Sequence, residues 1–260
     1  MNTRATLAGL ALSITLAAGL VAGCSSSSNK PTPNTSGAPV PSTSAAPSAT
    51  ELAAMMTTAL QSLTSAHVDV DAGVLGGTST ADVKLSDGVT QATDVKLNQS
   101  GQDIEVITAD GKSYAKVSGT SKPWTLVSPT SSNPVVKSFA SSINVAGIVT
   151  ELASIVKLIG TGTDVHSLGT DQVRDAPAAH YSMTINPQSG GGDPALGQVL
   201  ASLGNTPLPI QLWLDAQSRP VKVSLAIPLG AKPITISATI SDFDAALTIT
   251  APPADQVSTD

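Results

Sequence analysis

The most specific chemical signal in the sequence is its single cysteine, Cys24. Residues 7–22 before it form an uncharged apolar run behind a positive N-terminus, which is typical of an export signal. Small residues stand directly before the cysteine, as in the bacterial lipobox, in which the cysteine is acylated and becomes the new N-terminus: Val21, Ala22 and Gly23. We therefore predict a signal peptide over residues 1–23 and a lipidated Cys24.

A transmembrane helix that ends at a structural cysteine is the alternative interpretation of this segment. Such a helix needs about 18 or more apolar residues, whereas the run at 7–22 is marginal and is followed by four serines at 25–28. A diacylglyceryl group carries two chains, and two chains anchor a protein stably where one is marginal. We expect a protein held by lipid on the extracytoplasmic face of the cell membrane.

The rest of the chain contains no recognisable catalytic or metal-binding motif. Serine and threonine are abundant, but no Gly-x-Ser-x-Gly elbow occurs. His67, His166 and His180 form neither an i, i+4 pair nor a His-Glu-x-x-His pattern. We predict no catalytic site, no metal site and no cofactor. An envelope hydrolase would require a serine or an aspartate beside one of these histidines in a cleft.

The composition excludes further classes of protein. The 13 Lys and Arg residues are scattered among 19 Asp and Glu, and the net charge of -6 argues against a nucleic-acid partner, which needs grouped cations. One cysteine rules out an internal disulfide. Aromatic residues make up only 2% of a chain that is 41% hydrophobic, so its core must consist mainly of Ala, Val, Leu and Ile.

The lipidated cysteine is followed by a segment of low complexity. Residues 25–50 are rich in Ser, Pro and Thr, and Val40 is their only large apolar residue, too little to bury a core. We predict a disordered tether over residues 24–50, a single domain over 51–257 and a short tail at 258–260.

The domain is predicted to begin with a helix, because Ser48 and Glu51 have capping-box spacing before an apolar stripe. Further helices are predicted at 134–141, at 145–159 with Asn144 as its cap, and at 194–203. Apolar and polar residues alternate in most of the remaining segments, which indicates strands with one wet face. The predicted strands cover residues 68–74, 81–86, 95–97, 104–106, 114–117, 124–127, 163–168, 180–185, 210–214, 221–227, 234–240 and 247–250.

This order of elements favours an α+β fold, with a largely antiparallel sheet joined by tight turns and helices over one face. A sheet of about ten strands rarely stays flat, and a curled sheet under helices can leave a cavity. Trp124 and Trp213 either line a ligand site or pack under a helix. We favour packing, because aromatic residues are more often core than ligand platforms.

Several local motifs occur in an order that resembles the LppX/LprG-type lipoproteins of mycobacteria and related actinobacteria. They follow the lipobox and the tether, and the resemblance covers residues 51–257: DGKSYAK at 110–116 followed by Trp124, LWLD at 212–215, RPVKV at 219–223, SDF at 241–243 and ITAPP at 249–253. The resemblance implies a half-barrel antiparallel sheet with helices on its concave face, enclosing a hydrophobic cavity for acyl chains. It also implies movement of lipids or lipoglycans from the plasma membrane toward the outer envelope, without catalysis.

We therefore expect a monomeric, membrane-anchored carrier of an acylated lipid or glycolipid, with a membrane transporter as a further candidate partner. The alternative is an interaction module with a closed core that docks an envelope protein. The residues expected to line the cavity are inward aliphatic side chains, each of which could also belong to a closed core: Val83, Leu85, Val95, Leu97, Ile104, Val106, Ile148, Leu152, Ile155, Leu200, Leu212 and Leu214.

Overall fold

The computed structural model describes residues 46–73, 77–99, 102–116, 122–128, 152–189, 204–228 and 233–258. They lie in one compact unit, Ser44–Asp260. In this part of the chain, two helices accompany a sheet of twelve strands. The predicted signal peptide, the lipobox, nearly all of the tether, and the predicted helices at 134–141 and 194–203 lie outside the described residues.

All twelve strands belong to one open sheet, which confirms the predicted α+β class. The spatial order is β12-β6-β5-β4-β3-β2-β1-β11-β10-β9-β8-β7, so β12 and β7 are its two edges. The strands are β1 Ser65–Asp71, β2 Thr78–Ser86, β3 Val89–Gln99, β4 Gln102–Ala109, β5 Lys112–Lys116, β6 Trp124–Leu126, β7 Thr163–Val173, β8 Ala176–Ile185, β9 Leu208–Leu214, β10 Pro220–Ile227, β11 Ile234–Ser241 and β12 Val257–Ser258.

Nearly every pairing in the sheet is antiparallel, as predicted; the two-residue strand β12 pairs in parallel with β6. Tight two-residue turns connect β2 to β3, β4 to β5 and β7 to β8. Asp87-Gly88 and Asp110-Gly111 both have positive φ at each residue, which is the conformation of a type I′ hairpin turn. At the centre of the sheet, β1 pairs with β11, which is far from it in sequence; in this pairing Val68 lies opposite Ile240.

Helix α1, Ala49–Gln61, begins at the predicted capping box. The Glu51 backbone N–H donates to the Ser48 hydroxyl over 3.2 Å, and the Ser48 backbone N–H donates to the Glu51 carboxylate over 2.7 Å. These two bonds satisfy backbone donors that the first turn of a helix otherwise leaves unpaired. The capping box therefore sets the start of the domain locally.

Helix α2, Leu152–Gly160, is the described part of the helix predicted at 145–159, and it leads directly into β7. Gly162, in this connection, lies very close to Ile159 of α2 and Met183 of β8. A Cβ at this position would lie 2.9 Å from the Met183 sulfur and 3.0 Å from the Ile159 carbonyl oxygen. Glycine is therefore required for α2 to approach β8 this closely.

The two faces of the sheet differ in what covers them. Side chains of β1–β5 and β8–β11 that point to one face form a single buried apolar cluster with α1 and α2. We call this face the inner face and the other the outer face. Because side chains alternate along a strand, the dispersed charged residues between these apolar positions lie on the outer face.

One predicted strand is absent, and several others are longer than predicted. Residues 247–250 pair with no strand: Ile249, Thr250 and Ala251 lie beside Ala92 and Ala109 on the outer face, where they line a cleft. The alternating pattern of this segment thus reflects an extended chain on the sheet surface rather than a ladder.

The strands predicted at 163–168 and 180–185 are longer than expected and form one hairpin. Arg174 and Asp175 both adopt positive φ at its turn. Neither residue is the glycine that usually signals such a turn, so the sequence pattern did not reveal it.

Candidate functional site

The buried cluster on the inner face consists entirely of aliphatic residues and methionine. We call it the inner cluster: Leu52, Met56, Leu60, Leu63, Ala66, Val68, Val70, Ala81, Val83, Leu85, Val95, Ile104, Val106, Ala115, Leu152, Val156, Leu158, Ile159, Met183, Ile185, Leu208, Ile210, Leu212, Leu214, Ala238 and Ile240. Such a surface can hold an apolar ligand by burial alone. The same face also carries a few buried hydroxyls, among them Thr93, opposite Val83, and Thr125, opposite Ala115.

The structure brings ten of the twelve expected lining residues together in or against the inner cluster. Leu97 and Ile155 are half-buried against it, whereas Ile148 and Leu200 lie outside the described residues. The other eight are buried members: Val83, Leu85, Val95, Ile104, Val106, Leu152, Leu212 and Leu214. Whether these side chains line a cavity remains a prediction.

Sequence reasoning left out several residues that occupy the same cluster. Leu52 and Met56 come from α1, and Leu208, Ile210 and Ile185 come from β9 and β8. The alternation of Leu208, Ile210, Leu212 and Leu214 was visible in the sequence, but the predicted strand began at residue 210. The helix residues showed an apolar stripe, and only the fold identifies the surface that they cover.

Three large rings of the described strands lie on the outer face, whereas Tyr181 of β8 packs half-buried against the inner cluster. Trp213 stands between Leu212 and Leu214, whose side chains belong to the inner cluster, so its indole points the other way. Trp124 and Tyr114 are likewise out of phase with the inward Ala115 and its partner Thr125. Both tryptophans are buried, at 7% and 9% exposure, on the face opposite α1 and α2, so neither packs under these two helices.

Polar neighbours bury Trp213 on the outer face. Its indole N–H donates to Asp171 Oδ2 over 3.0 Å, and its ring stacks on His180 with a centroid separation of 4.2 Å. The Lys222 ammonium lies 4.8 Å from the centroid of the indole ring, a favourable cation–π distance. Asp171 also contacts His180 Nδ1 at 2.8 Å, so one carboxylate holds both rings.

A second polar network surrounds His67 on the same face. Its Nδ1 lies 2.7 Å from Asp82 Oδ1, and its Nε2 lies 3.3 Å from Asp69 Oδ1. Burial by itself would lower the pKa of His67, but the two carboxylates outweigh it, and the pKa is raised above the ordinary 6.5. His67 is therefore charged at a higher pH than an isolated histidine.

In the part of the chain that the structure describes, His67 and His180 contact aspartates rather than a serine or threonine hydroxyl. Both ring nitrogens of His67 contact carboxylates. His180 Nε2 is buried without a hydrogen-bond partner, so no hydroxyl is placed to lose a proton to it. The described residues also contain no group of three or more His, Cys, Asp or Glu side chains that could hold a metal ion.

Buried charge is also found on β3. One carboxylate oxygen of Asp94 is buried without a partner, and Lys96 lies 3.8 Å from the other. Desolvation raises the pKa of Asp94, and the nearby charges of Glu105 and Asp82 act in the same direction. The free-energy cost of desolvating the Asp94 carboxylate therefore arises on the outer face of the sheet.

Open clefts lie at the margin and on the outer face of the sheet. The largest described cleft, about 540 Å³, lies at β2–β5, where Leu97 and Ile104 meet polar residues such as Asn98 and Lys96. Clefts of about 500 Å³ and 330 Å³ lie beside Ala109 and beside Asp69. Leu97 and Ile104, two of the residues expected to line the cavity, thus contribute to the 540 Å³ cleft at the surface.

Replacing His67 by glutamine is expected to change the pH dependence of stability. A raised pKa in the folded chain means that charged His67 stabilises the fold below about pH 6.5, and this stabilisation is lost as the pH rises through the raised value. The melting temperature of His67→Gln should therefore fall below that of the wild type in mild acid, and the two should converge at about pH 8. An equal difference in melting temperature between the two proteins at both pH values would contradict the assigned contacts of His67 with Asp82 and Asp69.

The fold places the chain in a class of α+β proteins built on one long, open antiparallel sheet. LprF from Mycobacterium bovis aligns with a TM-score of 0.57 at 20% identity, over 80% of this chain and 99% of LprF. The Mycobacterium tuberculosis lipoprotein LppX aligns with a TM-score of 0.52 at 16% identity, over 78% of this chain and 98% of LppX. At these identities the similarity concerns the fold. No protein-family model and no curated protein sequence matches the chain.

Among the described helices, neither is long and apolar enough to cross a membrane.

Proposed function

We propose that this protein is a lipid-anchored lipoprotein that binds the acyl chains of a lipid or glycolipid between its helices and the inner face of its sheet, and carries them across the cell envelope without catalysis. The observation that carries the proposal is the purely aliphatic inner cluster, in a fold shared with LprF and LppX.

The chemistry of the inner cluster suits an acyl chain. Burying one CH₂ group contributes about 0.8 kcal/mol, so a chain of roughly 16 carbons gains on the order of 10 kcal/mol without any polar contact. This largely aliphatic face imposes little desolvation cost on an apolar ligand, and it offers few hydrogen bonds to a polar one.

The placement of the rings supports the same proposal. Trp124, Trp213 and Tyr114 would fill a large volume, and all three are on the outer face. Apart from Tyr181, the described strands give the inner face flexible, medium-sized side chains that can rearrange around a ligand. Leu97 and Ile104, at the open margin of the sheet, offer a route between the inner cluster and the surface.

The proposed location follows from the N-terminal sequence. Acylated Cys24 would hold the protein on the extracytoplasmic face of the membrane, and residues 25–50 would give the domain reach. The acceptor of the cargo would be another envelope component, and a membrane transporter is a candidate for loading. We propose that the domain acts as a monomer.

Native mass spectrometry tests the proposal directly. The chain without residues 1–24 would be expressed in an actinobacterial host, purified without detergent, and weighed before and after solvent extraction. Discrete adducts that extract as acylated lipids are the expected result. A mass equal to that of the bare chain, unchanged after incubation with host lipids, would refute the carrier and favour the docking module.

Replacing Leu97 by tryptophan is expected to reduce lipid loading several-fold with little change in melting temperature. Leu97 is half-buried against the inner cluster and lines the cleft at the sheet margin, so an indole would occupy the space of an acyl chain rather than strain a solid core. Gln211→Trp, at an exposed outer-face position of β9 away from this cleft, is the control. A large loss of stability in Leu97→Trp would instead identify packed core.

A further inference from the structure

The β7–β8 hairpin extends well beyond its neighbour in the sheet. The last pair between β8 and β9 is Ala179 with Leu214. Residues 170–178, which we call the hairpin tip, therefore have no strand partner except one another. Most of the tip is exposed, and the pairing of β7 with β8 is irregular at two places. The tip consequently depends on side-chain contacts for its position.

Two side chains connect the hairpin tip to the sheet. Asp171 accepts the indole N–H of Trp213 on β9 over 3.0 Å. Arg174, at the turn, reaches further: its guanidinium donates to Asp69 on β1 and to the Ser241 hydroxyl on β11. Because Asp69 and Ser241 are outer-face residues of central strands, the tip lies across the outer face and helps to bury Trp213.

Asp69 is shared between two cationic groups. Its Oδ2 accepts from Arg174, and its Oδ1 contacts Nε2 of His67. The other charged group facing His67 is Asp82 on β2, beyond which lies Asp94 on β3. The neighbour of His67 on β11 is the uncharged Ser241. When His67 is charged, its ring and the Arg174 guanidinium are therefore two positive groups in contact with the same carboxylate, that of Asp69.

We propose that the hairpin tip is a flap, that Arg174 latches it to Asp69, and that protonation of His67 loosens the latch. Two positive charges on one carboxylate repel each other, and His67 has a second anchor in Asp82 whereas Arg174 has only a hydroxyl. Because the pKa of His67 is raised, this response begins at a higher pH than it would with an isolated histidine. Both partners of the latch are partly exposed, so the ion pair is weak enough to open reversibly.

Trp213 is a built-in reporter of the flap. The chain has two tryptophans, so Trp124→Phe leaves Trp213, 7% exposed and held by Asp171, as the single fluorophore. The measurements are the acrylamide quenching constant of Trp213 and the hydrogen exchange of amides in the hairpin tip. The quenching constant is used rather than intensity because His180 stacks on the indole.

In this background, Arg174→Ala is expected to raise both the quenching constant and the tip exchange roughly two- to fivefold, as for loss of an exposed ion pair. Asp69→Asn should have the same effect, and the double variant should add nothing further. Lys116→Ala, which removes the exposed Lys116–Glu105 pair on the other half of the sheet, is the matched control and should leave the tip unchanged.

The pH response gives the second readout. Wild-type quenching and tip exchange, corrected for the intrinsic pH dependence of exchange, should rise on acidification from about pH 8 to about pH 6, and His67→Gln should flatten that rise. If the tip amides of Arg174→Ala exchanged as slowly as those of the wild type, the proposed latch would be overturned. If His67→Gln showed the same pH response as the wild type, the proposed role of His67 would be overturned. No lipid enters the assay, so its outcome is independent of the proposed carrier function.

Discussion

Leu212→Asp is expected to abolish the cooperative unfolding transition of the domain. Leu212 has no exposed surface, and it lies between Tyr181 of β8 and Val223 of β10 in a cluster without polar partners. An unpaired carboxylate there costs several kcal/mol, which is comparable with the whole stability of a typical domain, about 5–15 kcal/mol. Circular dichroism during thermal unfolding would show a broad change without a sharp transition.

The adjacent residue provides the control for this prediction. Gln211 is on the same strand, but it is exposed on the outer face, and Gln211→Asp should change the free energy of unfolding by no more than about 0.5 kcal/mol. If Leu212→Asp melted like the wild type, water would have to reach Leu212 in the folded chain. The inner cluster would then be neither a packed core nor a dry acyl site.

Cys24→Ala is expected to move the protein almost completely from the membrane fraction to the soluble fraction. A diacylglyceryl cysteine carries two long chains, each CH₂ group of which contributes about 0.8 kcal/mol on insertion, and without them the tether has only Val40 as a large apolar residue. Fractionation of cells and incorporation of labelled palmitate would measure the change.

Ser25→Ala, the neighbouring substitution, should leave the protein in the membrane and still labelled. If the wild type took up no palmitate label and Cys24→Ala stayed in the membrane fraction, the anchor would be the apolar run at 7–22, retained as an uncleaved segment. That result would support the alternative interpretation of the N-terminus and would leave the proposed acyl site in the domain untouched.

The sequence by itself determined the features that depend on neighbours along the chain. The capping box of Ser48 and Glu51, the hairpin turns at Asp87-Gly88 and Asp110-Gly111, and the alternation within most strands were all predicted correctly. Their physical basis is local: a helix start needs a side-chain acceptor, and a type I′ turn needs positive φ. Alternation likewise identified inward aliphatic residues such as Leu212.

Only the tertiary structure decided which distant segments meet. It placed both tryptophans on the face away from α1 and α2, joined β1 to β11 at the centre of the sheet, and brought Arg174 to Asp69 across it. Alternation states that Trp213 and Leu212 face opposite ways but not which face the helices cover. That choice is made by the burial of whole apolar surfaces and by backbone pairing between residues far apart in sequence, and neither leaves a local pattern.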